Sequence, residues 1–271
     1  TKPGKLFNLK LWLAVSFYLL INAVSQSLVS STADLDQAEQ LVLSQSWSLG
    51  YGAQPPLYTY IVKLMFLVTG PNLWALRGLK VLLLSVLVGV ILKIGDQLRF
   101  RSDQQVLMLC GLALIPQITW EAQRDLTHSV LATVMAASTL LQILRLIRRS
   151  NVWNHALLGV VLAAGLLSKY TVSIFDAGLL LTALTIPKAR SALLRPQLLI
   201  TATVLIILVA PHSWWMLSNA DLALAGMQKS QPGHGLLLGG IMDALVAATA
   251  FLTPFWLGAI ALLWKNRSNL K

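Results

Sequence analysis

Charged side chains are too scarce for this chain to be covered by water. Only 11% of its 271 residues are Asp, Glu, Lys or Arg, against 56% hydrophobic. An ordinary soluble domain carries roughly 25% charged residues, so much of this exterior faces hydrocarbon. The alternation over about ten residues that marks a membrane barrel strand is missing as well. The apolar runs are long and continuous, so the spans are helices, which satisfy their own backbone at about 20 residues per crossing. Cysteine is nearly absent: Cys110 stands alone, which excludes an intrachain disulfide and leaves the redox compartment unreadable. There is no glycine-rich phosphate loop, no His/Cys metal cluster and no repeat, and no metal or cofactor is expected. The first apolar run is preceded by Lys2, Lys5 and Lys10 and followed by no A-x-A-like site, which marks a retained span and not a cleaved signal peptide.

The net charge of +11 raises the question of nucleic acid, but its placement argues against that. The cations sit in short clusters between apolar runs, the pattern of cytoplasmic loops. Spans are expected at 11–30, 72–95, 104–120, 126–147, 154–168, 172–187, 197–217 and 237–264. The segments 1–10, 93–103, 145–153, 188–196 and 265–271 hold 15 of the 21 Lys and Arg residues and fall on one side. The expectation is therefore an all-α polytopic bundle of about eight spans. It forms a single transmembrane domain over 1–271 in the inner (plasma) membrane, with both ends cytoplasmic.

Acidic residues distribute the other way: Asp34, Asp36, Glu39, Glu121, Asp125 and Asp221 fall on or near the external side. The longest external segment, 31–71, opens with Ser31 and Asp34 in capping-box spacing. This predicts an amphipathic juxtamembrane helix running to about Leu49, stopped at Gly50. Leu35, Ala38, Leu41 and Val42 form a stripe suited to a membrane surface. Asp36, Glu39 and Gln40 share a helix face. They are either its solvated side or a carboxylate set facing an external cleft as a general base. Asp125 opens the fourth span, three residues before His128, and is either its N-cap or a functional carboxylate. Lys169 either snorkels to the interface or binds a lipid phosphate. Arg77 and Lys80 open the second span and could do the same. His212, Trp214 and Trp215 read as an aromatic belt.

The stretches Asp34-Leu35-Asp36-Gln37-Ala38-Glu39-Gln40, Gln54-Pro55-Pro56-Leu57-Tyr58, Arg124-Asp125-Leu126-Thr127-His128 and Leu166-Leu167-Ser168-Lys169-Tyr170, in this order and topology, resemble the GT-C membrane glycosyltransferases. The likeness is to the bacterial relatives of protein O-mannosyltransferases and of lipid A aminoarabinose transferases. It implies inverting transfer of a sugar from a polyprenyl-phosphate carrier to a lipid, glycan or protein acceptor on the extracytoplasmic face. Asp36 and Asp125 match the family's acidic positions and become the catalytic candidates. Asp34, Glu39, Gln54, Tyr58, Arg124, His128 and Lys169 become the candidate substrate contacts. Gln54 stands where the aminoarabinose enzymes have a basic residue, so Arg124 and Lys169 are the expected phosphate ligands. Family members are usually longer, which makes this chain a fragment or a minimal form. The rival expectation is a non-catalytic transporter, flippase or scaffold subunit; the absence of a repeat and the gathering of ionisable groups at the outer ends speak against a transporter.

Overall fold

The computed structural model describes residues 3–223, 242, 245–247, 249–250 and 252–265. Their regular elements are helices: α1 (Pro3–Val29), α2 (Leu35–Leu43), α3 (Leu57–Thr69), α4 (Leu73–Gln97), α5 (Ser102–Ala113), a π-helical turn (Gln117–Glu121) running into α6 (Ala122–Arg124), α7 (His128–Arg148), α8 (Val152–Ser168), α9 (Val172–Thr185), α10 (Pro187–Leu193), α11 (Leu198–Ser218) and α12 (Thr253–Lys265). The fold is an all-α polytopic bundle. Four helices are long and apolar enough to cross a membrane: α1 from Leu6, α4, α7 and α11. The count is six if α5 with Gln117–Arg124, bent by 79°, and α9 with α10, bent by 113°, are each one span. The expected third span is thus broken, and the expected sixth is α9, which turns sharply at its end into α10. Pro116 and Pro187 mark the breaks, since neither has an N–H to donate to the preceding turn. The fifth is the short α8, and the eighth lies partly outside the described residues.

Side-chain bonds sort the helix ends into two groups. At one end, Asn8 and Gln105 both donate to Asp96 Oδ1, and Ser150 donates to the Ala192 carbonyl while touching His155. At the other, Arg77 reaches the Ser30 and Thr32 carbonyls, His128 reaches Ser168 and Tyr170 reaches His212. The basic segments meet at the first end and the carboxylate-bearing segments at the second, as the charge pattern requires.

Helix α4 is the axis of the bundle. Asn72 caps it by accepting the Ala75 N–H at 2.8 Å. Its Leu76, Leu79, Leu83, Leu84 and Leu87 pack with Leu19 of α1, Tyr58 and Val62 of α3 and Val130, Leu131 and Val134 of α7. A second apolar cluster joins α7, α8, α9 and α10 around Leu146, Leu158 and Ala189.

The external segment departs from expectation. Helix α2 stops at Leu43, not Leu49, and its N-cap Asp34 makes no side-chain capping bond. Residues 44–54 form a pinned loop instead, because the Ser48 hydroxyl and the Tyr51 and Tyr60 phenols bond local carbonyls and compete with the helix. Ser48 Oγ donates to the Gly50 carbonyl at 2.7 Å, and the Tyr51 hydroxyl donates to the Ser46 carbonyl at 2.8 Å. Tyr51 and Gln54 then pair through both backbone bonds around Gly52, whose φ of 62° suits glycine.

The side on which the carboxylate end lies is checked by labelling. In a Cys110→Ala background, Ser46→Cys and Ser191→Cys, both on exposed positions, are expected to react with a membrane-impermeant thiol reagent from opposite faces, Ser46→Cys from the extracytoplasmic one. Reaction from one face would break the topology.

Candidate active site

Helix α2 seats on the break between α6 and α7. The Asp36 N–H donates to Asp125 Oδ1 at 3.2 Å, and the Thr127 hydroxyl donates to Asp36 Oδ2 at 3.2 Å. Gln37 Nε2 donates to the Arg124 carbonyl at 3.1 Å. Asp125, read as either the N-cap of the fourth span or a functional carboxylate, lies across the first turn of α2, where its carboxylate meets both a free N–H and the positive end of that helix. Helix α7 begins only at His128, with Thr127 in a non-helical conformation (φ −116°, ψ −82°). The two carboxylates the sequence singled out are therefore brought together from positions 89 residues apart. A π-helical turn just upstream is the local irregularity that re-aims the chain here.

The apolar stripe of α2 faces out, with Leu35 82% and Val42 64% exposed, while the amides Gln37 and Gln40 are fully buried. Asp36 is half-buried and Asp34 and Glu39 are exposed, so the expected shared face of Asp36, Glu39 and Gln40 is split among three environments. His128 and Tyr58, expected as substrate contacts, are 3% and 1% exposed, with their rings 5.1 Å apart. Burial, and then the negative charge of Asp36, raises the Tyr58 phenol above its ordinary value. Gln54 closes the turn with its backbone. Lys169 donates to Ser129 Oγ at 2.7 Å, on the α8 side of the carboxylates. Arg124 is exposed and lies 3.7 Å from Glu121.

The cations sequence reasoning underrated are Arg77 and Lys80. They are 5% and 4% exposed and one helical turn apart on α4. Lys80 Nζ donates to the Arg124 carbonyl at 3.0 Å. Arg77 donates to the Ser30 and Thr32 carbonyls at 3.0 and 3.3 Å, and its Nε has no partner. The ion pairs among the described residues are Arg101–Asp103 and Arg124–Glu121, so neither buried cation touches a carboxylate. Asp125, Asp34 and Asp36 act on Lys80 only through space. Two charged groups inside a span were the readable signal, since such groups are costly at membrane depth.

Both line a groove. Its outer part, of about 330 Å³, is polar and bounded by Asn22, Gln26, Asp34, Arg77, Gln123 and Arg124. Lys80 joins Arg77 and Gln123 below it. Gln123 and Thr119 also border the deeper part, about 340 Å³, which is walled almost wholly by apolar residues of α1, α4 and α5. Across the site, the end of α11 pins the pinned loop from above: His212 Nδ1 donates to the Leu49 carbonyl at 2.7 Å and Tyr170 donates to its Nε2 at 2.9 Å. Trp215 lies flat against Gly50, where any side chain would collide with its ring. These aromatics are thus structural at their inner edges and not only a belt. Among the described residues no group of three or more His, Cys, Asp or Glu is placed to hold a metal ion.

Residues 53–215 match the family model described as dolichyl-phosphate-mannose-protein mannosyltransferase. Two similar curated proteins come from Rhizobium johnstonii. The lipopolysaccharide core galacturonosyltransferase RgtB is 32% identical over 80% of this chain and 44% of its own length. The lipopolysaccharide core galacturonosyltransferase RgtA is 30% identical over 88% and 49%. A third relative from the same organism, the lipid A galacturonosyltransferase RgtD, is 25% identical over 72% and 40%. The chain spans about half the length of the curated relatives it matches. No solved structure matches.

Proposed function

The chain belongs to the dolichyl-phosphate-mannose-protein mannosyltransferase family, and from that premise we propose that it is a membrane glycosyltransferase using a sugar carried on a polyprenyl phosphate. The observation that carries this reading is the buried pair Arg77 and Lys80 at the head of an apolar groove. Burying a cation without a counter-ion costs several kcal/mol, and an arriving phosphate would relieve that cost. An isoprenoid tail fits the apolar trough below, and the sugar would then project toward Asp36 and Asp125. The phosphate ligands become Arg77 and Lys80, with Arg124 at the rim, in place of the Arg124 and Lys169 pair that sequence alone suggests.

In the reaction the acceptor hydroxyl oxygen attacks the anomeric carbon from the face opposite the phosphate. The C1–O bond to phosphate breaks, polyprenyl phosphate leaves with the electron pair, and the acceptor proton passes to Asp36. The product is inverted at C1. The leaving group is already a phosphate, so no general acid is required; cations at that phosphate stabilise the charge that develops on it. Asp125 holds the first turn of α2 and so the position of Asp36.

The relatives named as galacturonosyltransferases point to a uronic acid as the sugar and to a lipopolysaccharide core or lipid A as the acceptor. Lys169, on the opposite flank of the carboxylates from Lys80, is the cation placed to read the sugar's own carboxylate. The purified full-length protein in lipid nanodiscs, given polyprenyl-phosphate galacturonate carrying a labelled sugar and a lipopolysaccharide acceptor, is expected to transfer label. The matched mannose donor is expected to be poorer, and the preference is expected to fall in Lys169→Met. Equal use of both donors would remove the uronic acid; transfer from neither would remove the lipid-phosphate donor.

A further inference from the structure

Beneath the carboxylates runs a buried chain of hydrogen bonds that no catalytic role accounts for. The Thr59 hydroxyl on α3 donates to Gln40 Oε1 at 3.0 Å. Gln40 Nε2 lies 3.0 Å from His128 Nε2, and His128 Nδ1 lies 3.2 Å from the Ser168 carbonyl at the end of α8. Thr59, Gln40 and Ser168 are 0% exposed and His128 is 3%. The donors can be assigned by elimination. A carbonyl only accepts, so His128 Nδ1 carries a proton. Gln40 already accepts at its oxygen, so its amide nitrogen donates, and His128 Nε2 must offer a lone pair. The imidazole is neutral in this arrangement, and the chain ties α2, α3, α7 and α8 together at one point, four residues along α2 from Asp36.

We infer that Gln40, latched through the neutral His128, is the positioning residue that holds α2, and with it Asp36, on the 125–127 break. Three bonds seat α2 there around position 36: the Asp36 N–H to Asp125 and the Thr127 hydroxyl to Asp36, both 3.2 Å, and Gln37 Nε2 to the Arg124 carbonyl at 3.1 Å. Helix α2 has nine residues and no side-chain cap of its own, too few to be stable in isolation. Its outer side is solvent- or lipid-facing, with Leu35 and Val42 exposed. The seat therefore depends on the inner amides Gln37 and Gln40, and Gln40 is the one whose partners lie on two other helices, α3 and α7, with α8 reached through His128. Nothing in this latch touches the donor groove, so it acts through Asp36 and not on carrier binding. The consequence for rate rests on the transferase reading above; the seating itself does not.

The test uses Gln40→Leu and Gln40→Glu in the full-length protein, each read by amide hydrogen exchange over 35–43, normalised to the wild type at the same pH, and by transfer rate. Leucine fills the space but strands the Thr59 hydroxyl and His128 Nε2. Exchange over 35–43 is expected to quicken at least about 10-fold while α4 and α7 stay protected, and kcat is expected to fall at least about 10-fold with the carrier's Kd unchanged. Glutamate can restore the latch only with a proton shared between it and His128, because one of the two must donate. Gln40→Glu is therefore expected to behave like the wild type at acid pH and like Gln40→Leu once rising pH removes that proton; the wild type has no such alkaline loss. Unchanged exchange and transfer in Gln40→Leu would overturn the inference, as would glutamate and leucine variants that are equally loose at every pH. If exchange follows the expected pattern but the wild type transfers no sugar, the latch stands and the transferase reading falls.

Discussion

Asp36→Asn is expected to leave the protein folded and inserted while sugar transfer falls by about 10² to 10⁴, the usual cost of losing a general base. The substitution is close to isosteric. The Asn oxygen can still accept the Thr127 hydroxyl bond, and the bond from residue 36 to Asp125 is made by the backbone N–H, which the substitution does not alter. Helix α2 should therefore keep its seat, and melting temperature should move little. The carrier's affinity should also hold, because the groove's lining carboxylate is Asp34. A variant that binds carrier, melts normally and transfers nothing would isolate the proton acceptor. Full transfer by Asp36→Asn, measured with labelled donor beside the melting curve, would strip Asp36 of the base role and leave an acceptor that needs none, such as a phosphate.

Lys80→Met is expected to move two quantities in opposite directions. It removes a 4%-exposed ammonium that donates to the Arg124 carbonyl. Replacing a buried charge that lacks a counter-ion by a side chain of similar length is often stabilising, so the carrier-free protein should melt higher. Hydrogen bonds to charged groups contribute about 1.5–3 kcal/mol, so the Kd for polyprenyl phosphate should rise at least about 10-fold. Arg77→Met should weaken binding similarly but also lower the melting temperature, since the guanidinium braces the Ser30 and Thr32 carbonyls. The measurement is carrier titration by native mass spectrometry beside thermal melts of each variant. An unchanged Kd for Lys80→Met would place the phosphate elsewhere, and a sharp loss of stability would mean the charge is structural.

The long elements were legible because a span is written in composition. Helices α4, α7 and α11 begin within two residues of where apolar run, flanking cation and helix-capping residue placed them. The meeting of basic segments at one end of the bundle was legible for the same reason, through Arg145, Arg148, Lys188 and Arg190. Asp36 and Asp125 could be named from the residues, but not their pairing: a backbone N–H bonded to a carboxylate 89 positions away leaves no periodic trace. The length of α2 was misjudged because Ser44, Ser46 and Ser48 fit a helix by pattern, yet the Ser48 hydroxyl and the Tyr51 and Tyr60 phenols bond local carbonyls, those of Gly50, Ser46 and Ser48. Leu35 and Val42 face out, as a stripe suited to a membrane surface would, but the burial of Gln37 and Gln40 on the other side could not be read from spacing. Arg77 and Lys80 could be read either as phosphate ligands or as anchors; only their burial separates an anchor from a cation in need of an anion.

The separation between Asp36 and the residues that hold it also sets an order of events at the ribosome. The chain emerges from its N-terminus, so the segment carrying Asp36 reaches its compartment well before Asp125 has been synthesised. At about 5–20 residues per second, the 89-residue gap leaves α2 unseated for roughly 5–20 s. His212, which fastens the Leu49 carbonyl from 163 positions on, arrives later still. During that interval the segment carrying Asp36 has neither Asp125 and His128 nor His212 to hold it. The last part of the site to be completed in time is therefore its first part in sequence.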